Sequence, residues 1–234
     1  MIIQGVKLTG TTVVDAYITT QNLAIWIDAN NTSSYSGSGT AITDLSGNSR
    51  TQNLANAGQF TTLSGVKCFD CSTSGLGIAA ASAVPTLPTT GFTYIAWARM
   101  IPSTATFRTL FRTSPNDHPI LINAGTNDLG MWDNGTSIFY PCGFSVAGLG
   151  NTWAQWAVSG DSSGQTFYVN GKAVGTVTAQ TAAGNNHNIT GNVGAVFGST
   201  QPFGHIANMF LYTTKLNLVQ IQQNYGAYKT QFGV

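Results

Sequence analysis

Acid chemistry in this chain rests on aspartate alone. The acidic residues are Asp15, Asp28, Asp44, Asp70, Asp117, Asp128, Asp133 and Asp161, and the 234 residues contain no glutamate. Every mechanism that requires a glutamate is therefore excluded. Cleaving a glycosidic bond with retention takes two carboxyl groups about 5 to 5.5 Å apart. The nearest pair in sequence, Asp128 and Asp133, is separated by an odd step, which sends the two to opposite faces of any strand that holds both.

Other reactive spacings dissolve on inspection. Gly160-Asp161-Ser162-Ser163-Gly164 matches a nucleophile-elbow pattern, but that elbow must lead into a helix. Here Gln165-Thr166-Phe167-Tyr168-Val169 reads as a strand, so the segment is expected to be a hairpin loop. Cys68 and Cys71 have the gap of a zinc knuckle, yet a structural site takes four ligands and Cys142 is the only other thiol. A site completed by His118, His187 or His205 competes with the simpler reading of Cys68 as a small hydrophobe on a strand. Gly75-Leu76-Gly77 opens no βαβ unit and carries no nucleotide signal. No cofactor is expected, with calcium as the exception to weigh: Asp117, Asn123, Asn127 and Asp128 supply hard oxygens within one stretch, although Asn and Asp also simply build turns.

Sugar recognition needs an aromatic face for the ring and amide or carboxylate groups for the hydroxyls. Asn123, Trp132, Asp133, Asn134 and Tyr140 fall in adjacent strands and their hairpin, and they form the candidate glycan-binding set. The competing reading packs Trp132 into the sandwich, as happens to most aromatics. Trp97, Trp153 and Trp156 are assigned to the core or its rim.

The elements that must position these residues are strands. Short alternating runs separated by turn formers cover 23–28, 66–70, 92–100, 106–112, 120–123, 129–133, 137–140, 153–160, 165–169, 172–177, 192–197 and 205–212, the pattern of an all-β sandwich. Asn134-Gly135 and Asn170-Gly171 each predict a two-residue type I′ hairpin. One helix is expected, opening at Asn217 with Gln220 in a capping box and an apolar stripe of Leu218, Ile221 and Tyr225. Residues 1–22 read as an extended arm that adds a strand to its own sheet or to a neighbour's. Residues 23–234 read as one domain.

Composition narrows the partners. Hydrophobic residues make up 42% of the chain but charged ones only 7%, with a net charge of +1. Typical domains carry about a quarter charged residues. Nine scattered Lys and Arg form no basic stripe, so nucleic acid is not an expected partner. No run reaches the length of a membrane span, and the N-terminus lacks the basic start and apolar run of a signal peptide. Three cysteines fit a reducing compartment better than a disulfide framework. So few charges suit residence in an assembly better than free diffusion.

Several blocks, taken in order, carry a resemblance. They are Trp26-Ile27-Asp28-Ala29, Ser34 to Thr40, Thr43-Asp44-Leu45-Ser46-Gly47-Asn48, Phe92 to Trp97, Asn151 to Val158, Phe167 to Lys172 and Phe203 to Tyr212. The chain resembles laminin-G-like, concanavalin A-like lectin/glucanase domains from about residue 23 to 232. The resemblance implies two antiparallel sheets of six or seven strands in a jelly roll, closed by one short C-terminal helix. The family's glycosidases carry a Glu-x-Asp-x-Glu strand, which this sequence lacks. The scaffold also serves lectins, adhesion modules and structural proteins of viruses and phages, and a small uncharged member without a signal is most similar to the last group. The expectation is a non-enzymatic structural or decorating virion protein, such as a minor capsid component, bound to neighbouring subunits through its arm. The alternative is a lectin-like module for surface polysaccharide, and a glycoside hydrolase is a distant third.

Overall fold

A computed structural model describes residues 17–81, 90–102, 105–112, 118–178, 192–193 and 201–234. In chain order the strands are β1 (Leu23–Asp28), β2 (Ala41–Ile42), β3 (Gln52–Leu54), β4 (Phe60–Leu63), β5 (Val66–Cys71), β6 (Ile78–Ala80), β7 (Phe92–Met100), β8 (Arg108–Phe111), β9 (His118–Ile122), β10 (Asp128–Asp133), β11 (Ile138–Ser145), β12 (Trp153–Asp161), β13 (Gly164–Val169), β14 (Lys172–Val177), β15 (Asn192–Val193) and β16 (Gly204–Tyr212). Helix α1 (Leu218–Tyr228) and a 3₁₀ turn (Lys229–Phe232) follow. The expected strands are present, except that residues 194–197 of the expected strand 192–197 lie outside the described residues. The short β2, β3, β4 and β6 escape sequence reading because two to four residues carry too little alternation to register.

Two antiparallel sheets of eight strands each make a sandwich. The first runs β14-β13-β12-β7-β16-β5-β4, with β1 also paired to β16, and the second runs β11-β10-β9-β8-β15-β6-β3-β2. Alternation along the central strands fills the space between them. Ala154, Trp156 and Val158 of β12, Tyr94, Ala96 and Ala98 of β7, Ile120 and Ile122 of β9, and Leu129 and Met131 of β10 belong to one buried cluster. The odd positions of β7 and β12 face the other way. Ile95 and Ala157 pack with Ile221 of α1, and Trp97 and Trp153 pack with Phe232. The first sheet is thus buried on both faces.

Helix α1 starts where its capping box predicts. Asn217 Oδ1 accepts from the Gln220 amide at 3.0 Å, and the Asn217 amide donates to Gln220 Oε1 at 3.0 Å. The expected stripe needs one correction: Leu218 is exposed, while Ile221, Asn224, Tyr225 and Tyr228 turn toward the sheet. Asn224 is tolerated there because its Oδ1 accepts from the Thr19 amide at 2.9 Å and from the Tyr212 hydroxyl at 3.3 Å. The same bond ties residues 17–22 to the helix. Residues 1–16 of the expected arm lie outside the described residues.

Of the two expected hairpins, one forms as drawn. Asn170 and Gly171 have φ of 49° and 72°, the two positive values of a type I′ turn between β13 and β14. Between β10 and β11 the turn differs. Asp133 pairs with Ile138, so four residues form the loop, and the left-handed position is Ser137 rather than Asn134 or Gly135. The Asp133 side chain sets this geometry by accepting from the Gly135 amide at 2.7 Å and the Thr136 hydroxyl at 2.7 Å. Strand β11 then runs to Ser145, past the expected end at Tyr140, through an irregularity opposite Leu129/Gly130. Pro141 is accommodated because β11 is an edge strand.

Gly160 to Gly164 is a hairpin, with Asp161 paired to Gly164 and the chain continuing directly into β13. The nucleophile-elbow reading is therefore closed. Cys68 and Cys71 lie on opposite faces of β5, one beside Trp97 and the other in the inter-sheet core, and all three thiols are buried and free. Burial pushes the Cys68 thiol up to about 12 and raises those of Cys71 and Cys142.

Candidate functional site

The five expected glycan ligands do not converge. Leu129 and Met131 of β10 point into the core, so Trp132 points out, and Tyr140, directly opposite Met131, packs inward against the core. Asp133 is fully buried and committed to the hairpin loop. Asn123 lies past the end of β9, its amide bonded to the Asp128 carbonyl at 2.9 Å. That is four residues along β10 from Trp132, roughly 13 Å at the rise of a strand. Only Trp132 and Asn134 meet: the indole N–H donates to Asn134 Oδ1 at 3.2 Å.

What gathers around Trp132 instead is a cross-strand row. His118 of β9 and Phe139 of β11 sit directly opposite it on either side. The Phe107 ring lies 5.8 Å away at 56°. Two backbone features build this row. A ladder irregularity in β9, where Gly130 pairs with Leu121 but Trp132 with His118, swings His118 onto the outer face. Gly130 leaves room for the Phe139 ring, which a Cβ there would meet at 2.7 Å.

Polar groups border the aromatic surface. The Thr109 hydroxyl lies 2.9 Å from His118 Nδ1 and donates to Gln201 Oε1 at 2.7 Å. A hydroxyl has one proton, so Thr109 accepts from Nδ1–H, which fixes the tautomer of the neutral His118 ring. Burial, reinforced by the nearby Arg112 charge, holds the imidazole down at about 4, so it is neutral at physiological pH. Sequence reading missed Phe107, Thr109 and Phe139, and considered His118 only as a metal ligand. Alternation assigns Trp132 a face, but the partners on that face depend on a turn length and an irregularity that no local pattern specifies.

The arrangement offers stacking surface with neutral donors and acceptors. Among the described residues it offers no carboxylate pair: Asp128 and Asp133 fall on opposite faces of β10, as their spacing predicts, and Asp133 is enclosed. Of the expected calcium ligands, Asp117 lies outside the described residues, and Asn127 adopts φ 58° in a turn that bonds back to Asn123. Among the described residues no three His, Cys, Asp or Glu side chains stand close enough to hold a metal ion.

A separate cleft of about 360 Å³ opens where β14 meets β11, lined mainly by Phe144, Leu149, Val169, Val174 and Tyr225. It sits at the far end of β11 from Phe139 and shares no residue with the Trp132 surface.

The model of the concanavalin A-like lectin/glucanases superfamily matches residues 73–222. The chain belongs to this superfamily. Among curated proteins no sequence matches it. Several solved structures share its fold. Trypanosoma rangeli sialidase in complex with sialic acid is 12% identical, with TM-score 0.63 over 93% of this chain and 34% of that one. The botulinum neurotoxin type G receptor binding domain is 15% identical, with TM-score 0.61 over 90% of this chain and 51% of that one. The binding domain of botulinum neurotoxin DC, in complex with rat synaptotagmin II, is 11% identical, with TM-score 0.64 over 89% and 52%. The chain thus spans a third to a half of the length of these proteins, and at such identities the likeness is one of fold.

Proposed function

We propose that this superfamily member is a non-enzymatic recognition module that holds carbohydrate on the outer face of its second sheet. The observation that carries this reading is the row His118, Trp132, Phe139, with Phe107 beside it: a half-buried indole fixed by Asn134 and bordered by neutral hydrogen-bonding groups. Such a surface stacks on the apolar face of a sugar and meets its hydroxyls through uncharged groups, with the Arg112 charge nearby. The receptor-binding domains among its structural neighbours are examples of this fold used for recognition. The dispersal of its described carboxylates counts against the two-carboxylate mechanism, which needs a close pair.

The deciding experiment is a glycan array probed with the full chain and with Trp132→Ala, each with calcium and with a chelator. The expected result is calcium-independent binding lost in the variant, whose melting temperature stays within a few degrees of the parent. Equal binding by both proteins would move recognition elsewhere, and cleavage of any arrayed glycan would make the protein an enzyme.

The lean charge content supports a second, compatible setting, in which the module decorates a particle such as a virion and residues 1–16 engage a neighbouring subunit. Assembly with and without those residues tests it: unchanged incorporation of the shortened chain counts against an anchoring arm.

A further inference from the structure

The outer face of the first sheet carries a second concentration of aromatic and amide groups, beneath the C-terminal turn. Gln155 of β12, Trp97 of β7 and Asn208 of β16 stand in one cross-strand row, with Trp153 on the same face of β12 two residues before Gln155. Trp97, Gln155 and Asn208 are completely buried, and Trp153 is 8% exposed. Yet Trp97 Nε1, Trp153 Nε1, both polar atoms of the Gln155 amide and Asn208 Nδ2 have no hydrogen-bond partner among the described residues. Buried amides are ordinarily satisfied, so this many unpaired atoms in one layer calls for a specific cause.

Two rings stack on the Trp97 indole, Tyr225 of α1 at 5.6 Å and 14° and, closer, Phe232 of the turn. Phe232 lies parallel to the Trp97 indole, centroids 4.2 Å apart and planes 5° apart, and 5.3 Å from Trp153. It satisfies the stacking and none of the hydrogen bonds. The segment that carries it is weakly held: among the described residues its backbone hydrogen bonds run within itself, from Gly233 to Thr230 and from Val234 to Lys229, or back to Tyr225 of α1. Phe232 is its one buried side chain.

We propose that Phe232 is a displaceable plug in a second ligand slot, one that takes a single neutral pyranose ring between the Trp97 and Trp153 indoles. A pyranose has an apolar C–H face to replace the phenyl ring on Trp97. Its hydroxyls both donate and accept, so they match an amide, an amide N–H₂ and two indole N–H groups at once. Opening requires only the local release of the Lys229–Phe232 turn, whose backbone bonds hold it to itself and to Tyr225 and not to the sheet, a sub-global opening that leaves the core folded. The intact chain binds weakly because the open form is a small fraction of the population, and removing the plug raises apparent affinity by the inverse of that fraction.

The test is a titration of the full chain, Phe232→Ala and Phe232→Ala/Gln155→Leu with methyl glucosides, galactosides and mannosides, read on the tryptophan indole N–H signals by NMR. Phe232→Ala should bind at least one of these about tenfold more tightly than the parent, with the Trp97 and Trp153 signals shifting, and Gln155→Leu should remove that gain. Phe232→Leu, an apolar filler without a ring, serves the same comparison if alanine prevents folding. Two results overturn the proposal. One is a folded Phe232 variant that binds none of the probes. The other is a Trp97 indole proton in the parent chain that exchanges only through global unfolding. The slot shares no residue with the Trp132 surface, so Trp132→Ala should leave this titration unchanged, and either site can fail without the other.

Discussion

The Thr109 hydroxyl lies 2.9 Å from His118 Nδ1, in a buried pair on the same face as Trp132. The pair binds a neutral imidazole, and its surroundings penalise the charged one. The folded-state value of about 4 lies below the ordinary 6.5. Between those values the unfolded chain binds more protons than the folded one, so the contribution is fully present above about pH 6.5 and is lost as pH falls toward 4. The loss amounts to roughly 3 kcal/mol at most. Urea unfolding at pH 7.5 and 4.5 should show it, and His118→Gln should remove that part of the pH dependence.

Asp133 acts on the hairpin and not on a sugar. Its carboxylate accepts from Gly135 and Thr136 inside a fully buried position. Asp133→Ala should lower stability by about 2 kcal/mol by removing the two side-chain bonds that hold the loop. Glycan binding by the folded fraction should fall only as far as the loop displaces Trp132. A variant as stable as the parent that no longer binds would identify Asp133 as a direct ligand.

Asp44 closes an open strand edge. It accepts from the amides of Trp26 at 2.9 Å, Ser46 at 2.9 Å and Arg50 at 3.0 Å, while Asn48 and Arg50 side chains donate to the carbonyls of Leu23 and Ala24. The loop thereby occupies the side of β1 that β16 leaves unpaired, a protection that exposed edges require. Asp44→Ala should destabilise by about 3 kcal/mol and raise aggregation on heating, with Asp44→Asn intermediate. Chemical denaturation and light scattering report the two effects.

Gly175 marks where the two sheets meet edge to edge. A Cβ there would stand 2.0 Å from the Cys142 carbonyl oxygen of β11. That neighbour is backbone and cannot rotate away. Gly175→Ala should therefore force β14 from β11 and cost about 2 kcal/mol or more, measured as a shift in urea midpoint. Exposed Gly148, whose Cβ would meet nothing within 4 Å, is the control.

Strand identity was legible in Trp153–Asp161 and Phe92–Met100 because strands buried on both faces read as unbroken runs of apolar and β-favouring residues bounded by turn formers. The Asn217 cap and the Asn170-Gly171 turn were legible for a similar reason: each is decided by residues within four positions of one another. The outward direction of Trp132 follows from the same local rule.

Its company does not. Phe107, His118 and Phe139 reach Trp132 only through the pairing of four strands, a four-residue loop timed by the Asp133 side chain, and an irregularity in β9. The stacking of Phe232 on Trp97 joins residues more than a hundred positions apart. By itself the sequence determined an all-β sandwich without a glutamate and with its acids dispersed, because composition and periodicity are properties of the chain before it folds. Which aromatics share a face, and which amides lie covered without partners, was decided by the tertiary structure, because register between distant strands is set by the packing of the whole and recorded in no single segment.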